Sequence, residues 1–284
     1  MKIIILTLAF MTSVFAININ IVDSSIGNGK TTLIEIVKEN NVTYNKISSG
    51  KVEYKLHQNQ IDSTKMYALI PISYYEKPHN KKIKIFYEEN KIKKSATVIL
   101  KIEDAKYKKE QIKVSKSKIN LNKKDKERAS KEYAEAMKIY NSSSSKNYIR
   151  TKFISPMTSK ITSSFGKERV YNGSHKSYHS GTDFRAKVGT KIIACNDGKV
   201  VLAKDRFYSG GSVIIDHGYG VYSCYYHMSK FDVKSGDTVK KSQVIGLSGK
   251  SGRVTGPHLH FSFRVQGVQV DPLQLIDLLN ENLL

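Results

Sequence analysis

The chain has 284 residues, enough for one large domain or two modest ones, each with its own core. With 39% hydrophobic residues and no long unbroken apolar block, it is neither fibrous nor a polytopic membrane protein. Lys and Arg number 47 against 25 acidic residues, a formal charge of +22, which suits a polyanionic partner but also reflects a Lys-, Ile- and Asn-rich composition of the kind AT-rich genomes yield.

Met1-Lys2 opens a short basic segment, and residues 3–16 are apolar or small without a charge. That stretch is short for a spanning helix and fits a secretory leader, with cleavage expected after Ala16, where Val14 and Ala16 supply small residues. No cysteine adjoins this site, so a lipid-anchored form is not expected. Export in turn demotes nucleic acid as a partner, despite the charge.

Residues 17–105 read as β structure. Met66–Ile72 is an apolar run, Ile83, Ile85 and Tyr87 alternate with Lys82, Lys84 and Phe86, and Ala96–Leu100 is a further run. Short strands between Asn, Gly and Lys turns suggest a small sandwich. Gly29-Lys30-Thr31 lacks the earlier glycine of a phosphate loop, since position 24 is Ser24, and reads as a turn. His57 and His79 lie among polar turn residues and are expected at the surface.

Residues 106–150 read as a helical linker. Asn122 can cap a helix, and Ala129, Tyr133, Ala136, Met137 and Tyr140 share one face that should pack on a neighbouring domain. Asn141 and the serines after it end the helix. Residues 151–284 are rich in glycine, carry six of the eight histidines, and read as a compact antiparallel β domain. Asn196-Asp197-Gly198 and Asp216-His217-Gly218 look like hairpin turns. Cys195 and Cys224 can pair in an oxidising compartment but have no metal-ligand spacing.

Three elements of this segment carry chemistry. His179 and Asp183, four apart, fall on one face of an extended strand. In Gly256–Phe263, His258, His260 and Ser262 point one way while Leu259, Phe261 and Phe263 point into a core. Two imidazoles on one face suit a metal centre. His227 closes the apolar strand that begins near Val221 and can act as an acid or base. His175 reads as a loop residue and His217 as a surface residue in a tight turn.

Together these features resemble the M23 family of zinc metallopeptidases, the lysostaphin-like or LytM-type cell-wall endopeptidases. The resemblance covers about residues 151–275. It rests on Ser164-Phe165-Gly166, Arg169, the spacing of His179, Gly181 and Asp183, and Val188-Gly189-Thr190. It continues through Asp197-Gly198-x-Val200, Tyr226-His227-Met228, Ser248-Gly249-x-Ser251-Gly252, Thr255–Phe261 and Val270-Asp271-Pro272. Ala68–Tyr75 and the lysine-rich linker are also similar to exported M23 proteins with an immunoglobulin-like N-terminal domain. The expected fold is therefore mostly β with a helical linker, an immunoglobulin-like N-terminal domain and a C-terminal antiparallel β peptidase domain.

The resemblance implies Zn2+ on His179, Asp183 and His260, with His227 and His258 as the catalytic histidines. Three protein ligands leave a fourth position open, as a catalytic zinc requires. It also implies peptide cross-links of peptidoglycan as the substrate, cleaved by D,D-endopeptidase action with D,D-carboxypeptidase action in the same groove. The expected location is the periplasm, since no wall-binding repeat or sorting signal is present. The competing reading is a non-hydrolytic activator of cell-wall amidases, which typically lacks one or more of these five positions.

Overall fold

The structure is a computed structural model that describes residues 17–112, 122–171 and 175–284. The expected leader, 1–16, lies outside the described residues. Among the described residues no helix is long and apolar enough to cross a membrane.

The N-terminal part is a two-sheet sandwich. One sheet runs in the order Ile19–Ile21, Thr31–Val37, Lys65–Pro71, His57–Gln58. The other runs Ser25–Gly27, Ile92–Glu103, His79–Glu89, Val42–Ser49, Val52–Tyr54. Successive side chains of a strand face opposite ways. Ile34, Ile36, Ala68 and Ile70 therefore enter the sandwich core with Ile83, Ile85, Leu100 and Ile102. Leu33, Tyr67 and Leu69 point the other way and join the core of the C-terminal part. This explains why Met66–Ile72 is apolar without alternation: its strand lies between two cores.

The connection between the two parts contributes both a strand and a helix among its described residues. Lys109–Ile112 is a strand, parallel to Glu168–Tyr171, which pairs with His175–Tyr178 in a three-stranded sheet. His175 is thus a strand residue rather than a loop residue. Helix α1, Lys123–Tyr140, starts where Asn122 Oδ1 accepts the Asp125 N–H at 2.8 Å. Its buried residues, Ala136 and Tyr140, pack on Leu202, Ile214, Tyr222 and Cys224 of the C-terminal sheet, while Tyr133 stays in solvent.

The C-terminal sheet has ten strands. Its main path is Ile161–Ser163, Thr182–Arg185, His258–Val265, Val221–Phe231, Gly210–Asp216, Gly198–Arg206, Thr238–Val239, antiparallel throughout. Asp216-His217-Gly218 does join a hairpin, but Asn196-Asp197-Gly198 does not: the strands on either side of it pair elsewhere. His217 is fully buried, its Nδ1 donating to the Asp197 carbonyl at 2.7 Å and its Nε2 lying 2.8 Å from Ser223 Oγ. Both cysteines are free thiols, Cys195 in the main core and Cys224 under α1 on the other face of the sheet.

A second helix, α2, covers Pro272–Asn282 and had no place in the sequence reading. Its signals are present: Asp271 accepts the Leu273 and Gln274 N–H groups as a cap, Pro272 opens the first turn, and Leu275, Ile276, Leu278 and Leu279 form the buried stripe. The helix also ties the two parts together. The Gln274 side chain bonds both the N–H and the carbonyl of Thr31, at 2.9 and 2.8 Å. Nearby, Asp271 N–H donates to the Gly29 carbonyl at 2.8 Å, so the Gly29 turn is an interface element. His57 is not a surface histidine either, because its ring stacks on Tyr219 with centroids 3.9 Å apart.

Candidate metal centre

Three adjacent strands set the centre. Across them Asp183 lies opposite His260, and His260 opposite Tyr226. His179 does not share a strand with Asp183, as the spacing had suggested. It precedes the strand Thr182–Arg185 and is pinned by backbone bonds, its carbonyl accepting Gly166 N–H and its N–H donating to Lys167, both at 2.8 Å. The Ser180-Gly181 step carries the chain between them. A side chain at Gly181 would put its Cβ 2.4 Å from the Phe261 carbonyl and 2.6 Å from His260 Nε2, so only glycine fits.

The donor atoms converge. His179 Nε2 is 2.9 Å from Asp183 Oδ1 and 3.1 Å from His260 Nδ1, and the last two are 2.8 Å apart. His179 Nδ1 donates to the Ser164 carbonyl at 2.8 Å, which leaves the lone pair on Nε2 facing the cluster. All three residues are buried. Burial alone would raise the Asp183 pKa, but the bonds to His179 and His260 outweigh it and hold the carboxyl well below its usual range. His260 is pushed down by burial, with Asp183 partly opposing. Two imidazole lone pairs and a carboxylate turned onto one point form a cradle for a cation. Their number and kind fit Zn2+.

His227 and His258 flank this cluster with ring centroids 4.9 Å apart, and His258 Nε2 is 3.7 Å from Asp183 Oδ1. Both rings are held through Nδ1. His227 Nδ1 donates to the Ser251 carbonyl and His258 Nδ1 to the Gly256 carbonyl, each at 2.9 Å. Each neutral ring therefore keeps its lone pair on Nε2. Burial, then the neighbouring His260 and His258, pushes the His227 pKa down to about 3. His227 also sits at φ 63°, a conformation that is strained for a residue with a side chain.

The structure thus brings together all five residues singled out from sequence. It adds several that the sequence reading left without a role. Ser251 Oγ donates to the Met228 carbonyl at 2.7 Å and accepts Gly211 N–H at 2.9 Å, fixing the loop that holds His227. Arg169 places Nη2 3.8 Å from Asp183 Oδ2 and Nε 3.7 Å from Glu110 Oε2. Tyr226 lies along the ring of His260. All three stood within the quoted motifs, and a guanidinium, a hydroxyl and a phenol beside the named residues are chemical types that could have flagged them.

Comparison with known proteins bears on the same region. The model of peptidase family M23 matches residues 177–272. The chain is 41% identical over 122 residues to the peptidoglycan DD-endopeptidase ShyA of Vibrio cholerae serotype O1, covering 42% of this chain and 28% of that protein. It is 38% identical over 97 residues to the DD-carboxypeptidase/endopeptidase Mpg of Neisseria meningitidis serogroup B, covering 34% of this chain and 22% of that one. The chain thus spans less than a third of the length of these relatives. A crystal structure from Pseudomonas aeruginosa assigned to peptidase M23 is similar over 88% of this chain and 95% of its own, with TM-score 0.67 and 25% identity. The stretch that contributes every member of the histidine and aspartate cluster is a domain of peptidase family M23.

Proposed function

We propose that the protein is a zinc-dependent peptidoglycan hydrolase that cleaves peptide cross-links by D,D-endopeptidase action, with D,D-carboxypeptidase action in the same groove. The observation that carries the reading is the convergence of three buried donors with two further imidazoles beside them, every Nδ1–H among His179, His227 and His258 being tied to a carbonyl. In this reading His179 Nε2, Asp183 Oδ1 and His260 Nδ1 hold Zn2+. Bound zinc supplies Lewis acidity and acidifies a water towards ~7.

The chain's own residues do the rest. His227 and His258 each present a basic Nε2 that can take the proton of the attacking water. Water oxygen bonds to the amide carbon, the C–N bond breaks, and the proton is delivered to the departing amine nitrogen. Burial keeps the His227 ring neutral at neutral pH, with its Nε2 lone pair free to receive a hydrogen bond from the water. Arg169 holds the outer oxygen of Asp183, so the inner one stays aimed at the cluster.

ShyA is a peptidoglycan DD-endopeptidase and Mpg a DD-carboxypeptidase/endopeptidase, and the basic chain suits an anionic wall. We place the protein outside the cytoplasm, in the periplasm, working in wall remodelling and cell shape. The test uses the full chain with zinc, incubated with cross-linked and uncross-linked muropeptides and read by mass, with His260→Ala as control. Loss of cross-linked dimers supports the endopeptidase, and loss of terminal D-alanine from monomers adds the carboxypeptidase. Zinc-loaded protein that yields neither product overturns the reading.

A further inference from the structure

We infer that Tyr140, at the end of α1, is a positioning residue for the metal centre, acting through Tyr226 on His260. The inference rests on the reading of His260 as a zinc ligand. Tyr226 and His260 are direct cross-strand neighbours, so their side chains rise from the same face of the sheet. Their rings lie 5.6 Å apart with planes only 18° from parallel.

The torsion that turns an imidazole about its Cβ–Cγ bond is soft, with broad minima. Whether Nδ1 of His260 points at His179 and Asp183 therefore depends on what lies against the ring. Gly181 closes off space near Nε2, and Tyr226 covers a face. Tyr226 is itself anchored by one contact from outside the peptidase sheet: its hydroxyl lies 2.9 Å from the hydroxyl of Tyr140, 86 residues earlier.

Tyr140 is well placed to serve as an anchor. It is 2% exposed, the Arg264 guanidinium sits 4.4 Å from its ring centroid, and Tyr222 meets it edge-on at 5.9 Å. Its hydroxyl also lies 3.5 Å from Cys224 Sγ. If the two hydroxyls part, Tyr140 keeps only the Cys224 thiol, a weak partner, at 3.5 Å, so the pair is favoured where it stands. Helix α1 carries no donor of the centre, yet through this pair it sets the direction of one.

The test compares the full chain with Tyr140→Phe, Tyr226→Phe and the double variant. Zinc affinity is read by competition with a chelator, and the geometry of the site by the visible spectrum of cobalt(II)-loaded protein. Each single change should weaken zinc binding about tenfold and alter the spectrum, since groups supporting a ligand usually act on that scale. The double variant should be no worse than either single, because both remove the same bond. A purely structural role would lower the melting temperature and leave affinity and spectrum alone. Affinities within about twofold of the parent, or losses that add in the double variant, overturn the inference. A parent protein that binds no zinc overturns instead the ligand reading on which it stands.

Discussion

The imidazole of His227 and the carbonyl of Ser251 are joined by a 2.9 Å hydrogen bond, and that bond decides which nitrogen of His227 is free. The serine is in turn locked by its own hydroxyl, between the Met228 carbonyl and the Gly211 N–H. A strained backbone at His227 thus leans on a loop fastened by the Ser251 hydroxyl and by the Arg253 N–H, which donates to the Tyr208 carbonyl at 2.9 Å.

Ser251→Ala should therefore lower kcat about tenfold, ~1.4 kcal/mol of barrier, while zinc content stays at the parent level. Steady-state kinetics beside metal analysis checks this. A variant with normal kcat would show that the loop backbone holds its position without the hydroxyl.

Ligands and proton carriers should separate cleanly. His179→Ala and His260→Ala should each abolish stoichiometric zinc, because two donors remain where three are needed. His258→Ala and His227→Ala should retain the metal and lose about 10²–10⁴-fold in turnover. Metal content and turnover measured on the same four preparations decide it; full zinc in His260→Ala would refute the ligand set.

Gly181→Ala tests the close approach of the chain beneath His260. The added methyl meets a carbonyl at 2.4 Å and the imidazole at 2.6 Å, and neither can move without breaking a strand pairing or the centre. Overpacking of this kind costs about 1–3 kcal/mol. The melting temperature should fall by several degrees, and zinc affinity should fall with it. An unaltered affinity would mean the ring is free to move aside.

His217 should make the fold acid-sensitive. Burial pushes its pKa down to about 4, against 6.5 for a free imidazole, with the bond to the Asp197 carbonyl opposing. The folded protein keeps the ring neutral while the unfolded chain takes up a proton below 6.5. Stability is therefore full above that pH and falls as pH drops from 6.5 towards 4, by about 2 kcal/mol between pH 7 and pH 5. His57, pushed down to about 4 by burial and by Lys55, adds in the same direction. Urea unfolding at the two pH values should show a smaller difference in His217→Gln than in the parent, and equal differences would count against this assignment.

Much of the architecture is written in local pattern. The strand His258–Val265 is legible because Leu259, Phe261 and Phe263 alternate into the core, although the opposite face, with His260 and Ser262, is buried as well. The cap at Asn122 is equally local. What escaped was set by partners distant in sequence. His57 and His217 sit in turn-like sequence, yet one is stacked on Tyr219 and the other closed inside the core. The separation of His179 from the strand of Asp183 depends on which sheet each neighbour joins, and spacing cannot report that. Helix α2 is hard to read because its eleven residues follow so closely on a strand pattern, although Asp271-Pro272 marks its start.

The strand Lys65–Pro71, buried on both faces, has a consequence for how the molecule assembles. Leu33, Tyr67 and Leu69 belong to a hydrophobic cluster whose other members lie far along the chain, and Thr31 is closed off by Gln274, 243 residues away. The sandwich can form early, but it then presents an oily side until α2 arrives to cover it. Such dependence on remote contacts slows folding and prolongs the exposure of sticky surface. During synthesis or export the first half of this chain must be shielded until the second is finished, and the two halves should unfold together rather than in turn.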